Sequence, residues 1–570
     1  MTTIKRFLLL LFFLPVLAQA ETTTPPPVLT TVEEWWSSSY TGPLCLPKES
    51  QRILEELRRQ FRNSPKLAHL IPSFPRWFTL GKWLSLYSSR SAFFQNKANY
   101  DTFIQLAQNE ELPLLLFASL QPQDQAGKAV EILCRLYAHN PRGVRNYPDL
   151  AVAFAVVYDQ PFPQNWPHSQ IAAGLSLPVQ QTPEQLFDFF IQSHEKRKLL
   201  LDPSKLSVSQ LKFVVDTPAP INELAWAQQN VRLQRSQFAQ AFALVPYDAK
   251  RIPMRQFVWR NGPYTLANIF AKGGLCVDQA YFASVVGKAF GLPTLFFVGL
   301  GRDGGHAWFG YLKDEETWEL DCGRYREQNY PVGQALDPQT WSVITDAELE
   351  FFSKGTERRA NYLLARLLLN WALMNSNELF YNTALDSVID MLPDSLDAWR
   401  AKAQAISKES LEEQRLFWKV WIKKFEEYPD LKEEGQTAML KVLQQGGSNA
   451  VAENLLQNII QENQYRRFDI GIDAATVSVF EHIKKKKWNE ADRAFRGFAQ
   501  KFQAKGGSYL FYKLVRPYVI ALLNAKQNGM AQNAVRYAES RIRTQKGSIL
   551  DQELHALRDQ VNAPPASALQ

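Results

Sequence analysis

Between Gly273 and Asp321 the chain changes its local period several times, and that succession leaves few ways to fold. Gly273-Gly274 opens a helical stretch that begins at Cys276 and runs to Phe290, where Gly291 and Pro293 end it. Thr294 to Leu300 is a short apolar run rich in β-formers, which predicts a buried strand. A glycine-rich turn, Gly301 to Gly305, leads into a second strand from His306 to Leu312. The acidic turn Lys313-Asp314-Glu315-Glu316 then returns the chain antiparallel as Thr317 to Asp321. A helix followed by an antiparallel meander, in a chain whose other segments read as helical, predicts an α+β core in a mostly α protein.

Three residues at the joints of this pattern carry chemistry. Cys276 falls in the first turn of its helix, where free backbone N–H groups and the helix dipole favour thiolate; such settings bring a cysteine pKa from about 8.5 to roughly 3.5–7.5. His306 opens its strand and shares one face with Trp308, Gly310 and Leu312. Folding the hairpin about its turn is expected to set Asp321 close to the start of that strand. A carboxylate there would hold one ring nitrogen of His306 while the other faces the thiol, giving nucleophile, base and orienter. Singly, such residues are most often a small buried hydrophobe, a satisfied polar group and a turn former; the ordered combination carries the reading. Asp278 reads as a helix N-terminal charge and Trp308 as core. The Cys276 N–H is one expected oxyanion donor, with Gln256, Trp259 and Asn261 as candidates for a second.

The stretch Lys272-Gly273-Gly274-Leu275-Cys276, the turn and strand Gly305-His306-Ala307-Trp308 and the strand end Trp318-Glu319-Leu320-Asp321 resemble the three motifs of the transglutaminase-like superfamily, in the same order and at similar spacing. The resemblance covers roughly residues 245–350. It implies a papain-like core with Cys276, His306 and Asp321 as catalytic residues in an acyl transferase, peptidase or amidase, or in a relative that has lost catalysis. The family commonly continues Asp-Pro-Thr after the aspartate, whereas this chain has Asp321-Cys322-Gly323-Arg324. No calcium-ligand array of the kind animal transglutaminases carry is evident. The expectation is therefore a cysteine peptidase or amidase acting on a peptide or protein substrate, then a protein-glutamine transglutaminase, then a catalytically inert peptide-binding scaffold.

The chain begins with Lys5-Arg6, an apolar run from Phe7 to Ala18 and the ending Ala18-Gln19-Ala20, which reads as a secretory signal peptide over residues 1–20. Export to the periplasm or the extracellular space follows, with no stable membrane insertion after cleavage, since no apolar run is long enough to span. Loss of Lys5 and Arg6 takes the formal charge from +7 to +5, too little over such a chain for a nucleic-acid footprint. Lys484-Lys485-Lys486-Lys487 reads as a solvated helix end. Four cysteines are too few for a disulfide framework. A bridge between Cys45 and Cys134 with Cys276 free is the simplest pairing in an oxidising compartment, and Cys276 with Cys322 as a redox lock competes with it. The seven histidines show no paired helical spacing and there is no CxxC, so no metal site is expected. The glycines 299–305 lie between strands, which fails the dinucleotide fingerprint, and no cofactor is expected.

Around this core, residues 21–43 read as a Pro/Thr-rich linker and 44–240 as an irregular helical domain punctuated by Pro-aromatic loops at 72–77 and 160–167. The catalytic domain occupies 241–352. Residues 353–562 read as helix after helix, with Pro393 and Pro429 standing 36 apart, near the 34-residue tetratricopeptide period. An α-solenoid-like region of this kind serves either as a groove for a protein partner or as a buttress for the catalytic domain. Residues 563–570 read as a disordered tail.

Overall fold

The computed structural model describes residues 35–37, 40–63, 73–109, 111–163, 168–172, 175, 181–352 and 361–563. The signal-peptide reading and all but Ala563 of the tail lie outside them. The chain forms two compact units, one from residues up to 159 together with 355–402, the other from 160–354 together with 403–570. These limits differ from the sequence boundaries near 240 and 352. Residues 160–240 join the cysteine-bearing core, and the start of the C-terminal helical stretch joins the N-terminal unit.

The reason in the first unit is packing that no local period reports. Helix Tyr362–Met374 buries Leu367, Leu368, Leu369 and Trp371. The Trp371 ring lies 5.7 Å from Phe61 and 5.8 Å from Phe78. Arg366, itself buried, donates to the carbonyls of Ala118 (3.1 Å) and Leu120 (3.0 Å) and pairs with Asp397. At the centre, Leu150 to Val157 are all buried, as expected of a helix apolar on every side. The described part of the expected linker is not a free tether: Trp35 is fully buried and its indole donates to Glu49 (3.1 Å). Of the loop expected at 72–77, Pro72 lies outside the described residues, and Phe74 to Trp77 form the first turn of helix Phe74–Ser85, with a proline suited to that turn.

The second unit is built on helix Cys276–Ala289, in which every residue after Cys276 is buried. It packs on a five-stranded antiparallel sheet of order β3-β2-β1-β4-β5. The strands are β1 (Thr294–Leu300), β2 (Gly305–Leu312), β3 (Trp318–Cys322), β4 (Gln334–Leu336) and β5 (Val343–Thr345). Gly291, at φ +70°, makes the turn between helix and sheet. Lys288, at the far end of the helix, locks it to β1: its buried ammonium donates to the carbonyls of Phe213 (2.7 Å) and Thr294 (3.0 Å) and to the Asp216 carboxylate. Burial lowers the lysine and raises the aspartate, each opposed by the other's charge.

From Leu411 to Asn562 this unit is a succession of helices, and one apolar cluster runs through it from Met439 to Val561. The arrangement is compatible with helical repeats. Lys484 to Lys487 are exposed: Lys484 ends helix Phe468–Lys484, and Lys485 to Lys487 form the turn to helix Trp488–Phe502. Among the described residues no helix is long and apolar enough to cross a membrane.

Candidate thiol site

Gly273 and Gly274 bring a second segment against the start of the Cys276 helix. Gly274 N–H donates to Pro246 O and Asp248 N–H to Gly274 O, both at 2.9 Å. Gly273 sits at φ +73°, and a Cβ there would lie 2.5 Å from Pro246 O. Gln279, one turn into the helix, anchors the same segment by donating to Val245 O (2.8 Å). The paired glycines thus let backbone approach backbone beside the thiol.

Asp278 is buried behind the sulfur and every neighbour it meets is a donor. Its carboxylate accepts from Leu275 N–H (2.8 Å), Tyr264 O–H (3.0 Å) and Arg251 Nη1 (3.3 Å). Arg251 also donates to the carbonyls of Gln256 and Phe257, both at 2.9 Å. Tyr264 meets His168 Nε2 at 2.7 Å, and His168 Nδ1 accepts from Gln170 N–H (3.2 Å). Because Nδ1 accepts, the proton resides on Nε2, and the chain of donors runs from His168 through Tyr264 to Asp278. Burial brings His168 down to about 4, so the ring is neutral near pH 7. Burial also raises Asp278, against the pull of its donors. The aspartate, expected as a helix N-terminal charge, stands at the third position of the cysteine helix and satisfies the N–H of its N-cap Leu275.

Cys276 is partly exposed and its thiol is not the lowered one expected from the helix dipole. Burial is the larger influence and pushes it up; the backbone N–H groups of Ala307, Val277 and Cys276 pull it down, and the Asp278 charge adds to the rise. Ala307 follows His306 in β2, the strand on which the cysteine helix packs. No hydrogen bond joins the sulfur to the His306 ring. The hydroxyls of Tyr247, Tyr325 and Tyr330 lie close enough for a thiolate at Cys276 to raise each of them, after burial has done so.

His306 is buried and its Nε2 lies 2.7 Å from Gly323 O. A carbonyl only accepts, so Nε2 carries the proton and Nδ1 holds the free lone pair. The ring stacks on Tyr325 at 4.4 Å and lies nearly parallel to Tyr330 at 5.5 Å. Burial lowers its pKa, partly offset by the Gly323 carbonyl and the Glu327 charge. Gly323 itself, at φ +91°, could carry no side chain, since a Cβ would lie 2.7 Å from the Phe242 ring.

The structure does not bring Asp321 to His306. Leu312 stands opposite Trp318 and Phe309 opposite Cys322, with a bulge between Phe309 and Tyr311. Asp321 therefore lies near Gly310, about four residues or roughly 13 Å along β2 from the histidine. Its side chain is 64% exposed and pairs with Arg324 at 2.8 Å. The Gly323 carbonyl takes the place expected of the carboxylate. Sequence reasoning passed over Gly323, although a glycine just after a strand is itself a sign of special backbone geometry. Tyr247, Tyr325 and Tyr330 carried no pattern that marked them.

Arg324 ties the surroundings together. It donates to Asp346 (2.8 Å) and Tyr330 O (2.7 Å), and its guanidinium lies 4.9 Å from the centre of the Trp308 ring. Trp308 is fully buried, with its indole N–H on Leu320 O, which makes it core. The Trp259 N–H is likewise spent, on Gly262 O at 2.9 Å, and no hydrogen bond ties Gln256 or Asn261 to Cys276. All four cysteines are free. Cys45 donates to Gly42 O, Cys134 is buried within its helix, and Cys322 faces Glu319 O, so neither expected pairing is formed. Among the described residues no group of three or more His, Cys, Asp or Glu side chains converges as a metal site would require. Comparison with protein-family models, with curated proteins and with solved structures found no match to this chain.

Proposed function

We propose that this chain is an exported, thiol-dependent acyl-transfer enzyme that cleaves peptide or protein amide bonds, with Cys276 as nucleophile and His306 as base. The observation that carries the proposal is the packing of the Cys276 helix on β2, the strand that opens with a histidine whose Nε2–H is fixed on Gly323 O. The helix-on-antiparallel-sheet arrangement also supports the resemblance to the papain-like core of the transglutaminase-like superfamily.

At rest both partners are neutral, because burial raises the thiol and lowers the imidazole. Deprotonation then accompanies attack: the Cys276 sulfur bonds to the amide carbon while its proton passes to His306 Nδ1. Gly323 O steadies the imidazolium through Nε2–H. The imidazolium protonates the amine nitrogen, the C–N bond breaks, and a thioester remains on Cys276. His306 next takes a proton from water, whose oxygen attacks the thioester; the C–S bond breaks, the acid leaves, and the proton returns from His306 to the sulfur as the free thiol. Cys276 N–H faces the developing oxyanion. Asp321, exposed and paired with Arg324, is left without a part in this scheme.

One observation favours a second reading, protein-glutamine transglutamination. Tyr247, Tyr325 and Tyr330 are near enough to feel the charge of a thiolate at Cys276, and aromatic faces there favour an approaching ammonium group. Another favours the inert peptide-binding scaffold: the lack of a Cys276–His306 hydrogen bond. Incubating the chain with a glutamine-containing peptide and a labelled amine, read by mass spectrometry, separates them. Deamidated or cleaved peptide that vanishes in Cys276→Ala supports hydrolysis, and amine incorporation as the main product supports transfer. Alkylation of Cys276 at the rate of an ordinary thiol, unchanged by His306→Ala, would point to the scaffold.

A further inference from the structure

The turn that delivers His306 is gripped from outside the sheet. Residues 301–304 close on themselves through Gly301 N–H to Gly304 O at 2.9 Å, and Gln328 takes the Arg302 N–H on its carbonyl (2.7 Å) and the Asp303 N–H on its side chain (3.1 Å). The turn's outward carbonyls are taken by the C-terminal helices. Ser508 N–H donates to Arg302 O (3.0 Å) and lies 3.3 Å from Gly301 O, and the Ser508 hydroxyl donates to Arg302 O as well (3.3 Å). Leu550 N–H donates to Asp303 O (3.3 Å), and Gln545 N–H meets the Asp303 carboxylate (3.4 Å). Ser508 lies at the start of the helical stretch Gly507–Asn524 and Leu550 at the start of Ile549–Asn562. N–H groups at such starts have no partner within their own helix, and here they are spent on the turn.

The fit at this contact is tight. Gly507 adopts φ +41°, and a Cβ on it would lie 2.4 Å from Arg302 O; a Cβ on Gly304 would touch Ile549 at 3.4 Å. Only Asp303, Gly304 and Gly305 separate Arg302 from His306, and the turn between them is a single closed loop, so a displacement at Arg302 carries to the histidine.

We infer that the C-terminal helices are positioning elements of the thiol site: through Ser508 and Leu550 they hold the 301–304 turn and thereby fix His306 relative to Cys276. This rests on the Cys276–His306 reading above. It also assigns a role to the helical region, which sequence left between partner groove and buttress. Ser508 and Gly507 are positioning residues and touch no reacting atom.

The test uses the full chain with Gly507→Ala, which drives a Cβ into Arg302 O, and the milder Ser508→Ala, which removes only the hydroxyl. Two readouts are taken: hydrogen–deuterium exchange of the 299–305 backbone, and iodoacetamide alkylation of Cys276 across pH. The expected result is at least about tenfold faster exchange in Gly507→Ala. The His306-dependent part of the alkylation rate should fall by about tenfold or more, since small misplacements of a base are costly. Ser508→Ala should move both in the same direction by less, with unchanged thermal unfolding. Unchanged exchange in both variants would show that the turn is not gripped, and faster exchange with an unaltered alkylation profile would show that the grip does not position His306. Equal alkylation of the wild type and His306→Ala would instead overturn the site reading itself, while the exchange result still decides the grip.

Discussion

Asp278→Asn separates what the aspartate does for the fold from what it does to the thiol. In the structure its carboxylate accepts from Leu275 N–H, Tyr264 O–H and Arg251. An asparagine can keep its amide oxygen toward Leu275 and Arg251, but its NH2 then faces Tyr264, whose hydroxyl proton loses its acceptor. One stranded buried hydroxyl costs about 1–3 kcal/mol. Breaking a buried ion pair by removing one partner costs about 3–5 kcal/mol. The two penalties share the same relaxation, so the expected loss is about 4 kcal/mol, or roughly 5 °C in the unfolding of a unit of this size. The thiol is expected to respond in the opposite sense. Asp278 is a like charge that disfavours thiolate at Cys276, so its removal should speed alkylation at fixed pH well below the unfolding temperature. Thermal unfolding by circular dichroism and stopped alkylation read by intact mass provide the two measurements. A variant as stable as wild type to within about 1 kcal/mol, or a folded variant that alkylates more slowly, would refute the account of the network.

His168 should impose an acid sensitivity. Its folded pKa of about 4 lies below the ordinary 6.5, so its contribution is complete above pH 6.5 and is lost as pH falls toward 4, by up to about 3 kcal/mol. Denaturant titrations at several pH values should show that slope in wild type and a flatter one in His168→Gln. Asp321→Asn should leave stability within about 0.5 kcal/mol and Cys276 alkylation within about twofold, because the exposed pair with Arg324 contributes little; a loss like that of His306→Ala would restore the carboxylate to the mechanism. Gly273→Ala should cost about 1–3 kcal/mol for the positive φ alone, with more from the clash at Pro246 O, and should slow alkylation by displacing the 246–248 segment.

The local elements around the site were legible because each was announced by its own residues. The strand from Thr294 to Leu300 and the helix from Cys276 matched their apolar runs and glycine or proline stops to within a residue. What failed depended on register and on distance in the chain. The β2–β3 register, with Leu312 opposite Trp318, already keeps Asp321 at least three residues from His306, and continuing the pairing past Cys322 brings Tyr325 beside the histidine instead. The helix dipole argued for a lowered thiol, but dipole and burial compete and only burial requires the full fold to be known. The union of 362–374 with the N-terminal helices rests on Trp371 and Arg366, whose partners lie some 250 or more residues upstream and leave no periodic trace.

The use of the Gly323 carbonyl beside His306 reaches beyond local geometry. A peptide oxygen has no proton to gain or lose between acid and neutral pH, so the partner of the imidazole adds no titration of its own to an activity profile. Nor can side-chain substitution delete it. If Cys276 and His306 act as proposed, an alanine scan of this chain would find a cysteine and a histidine and no third member, and would score as a dyad what the backbone completes as a triad. The vulnerability moves instead to conformation: a residue other than glycine at 323 meets both the left-handed backbone and the Phe242 ring, and tilts the carbonyl away. In such a site the orienting function is inherited through the shape of a turn, and drift in the surrounding side chains leaves it untouched.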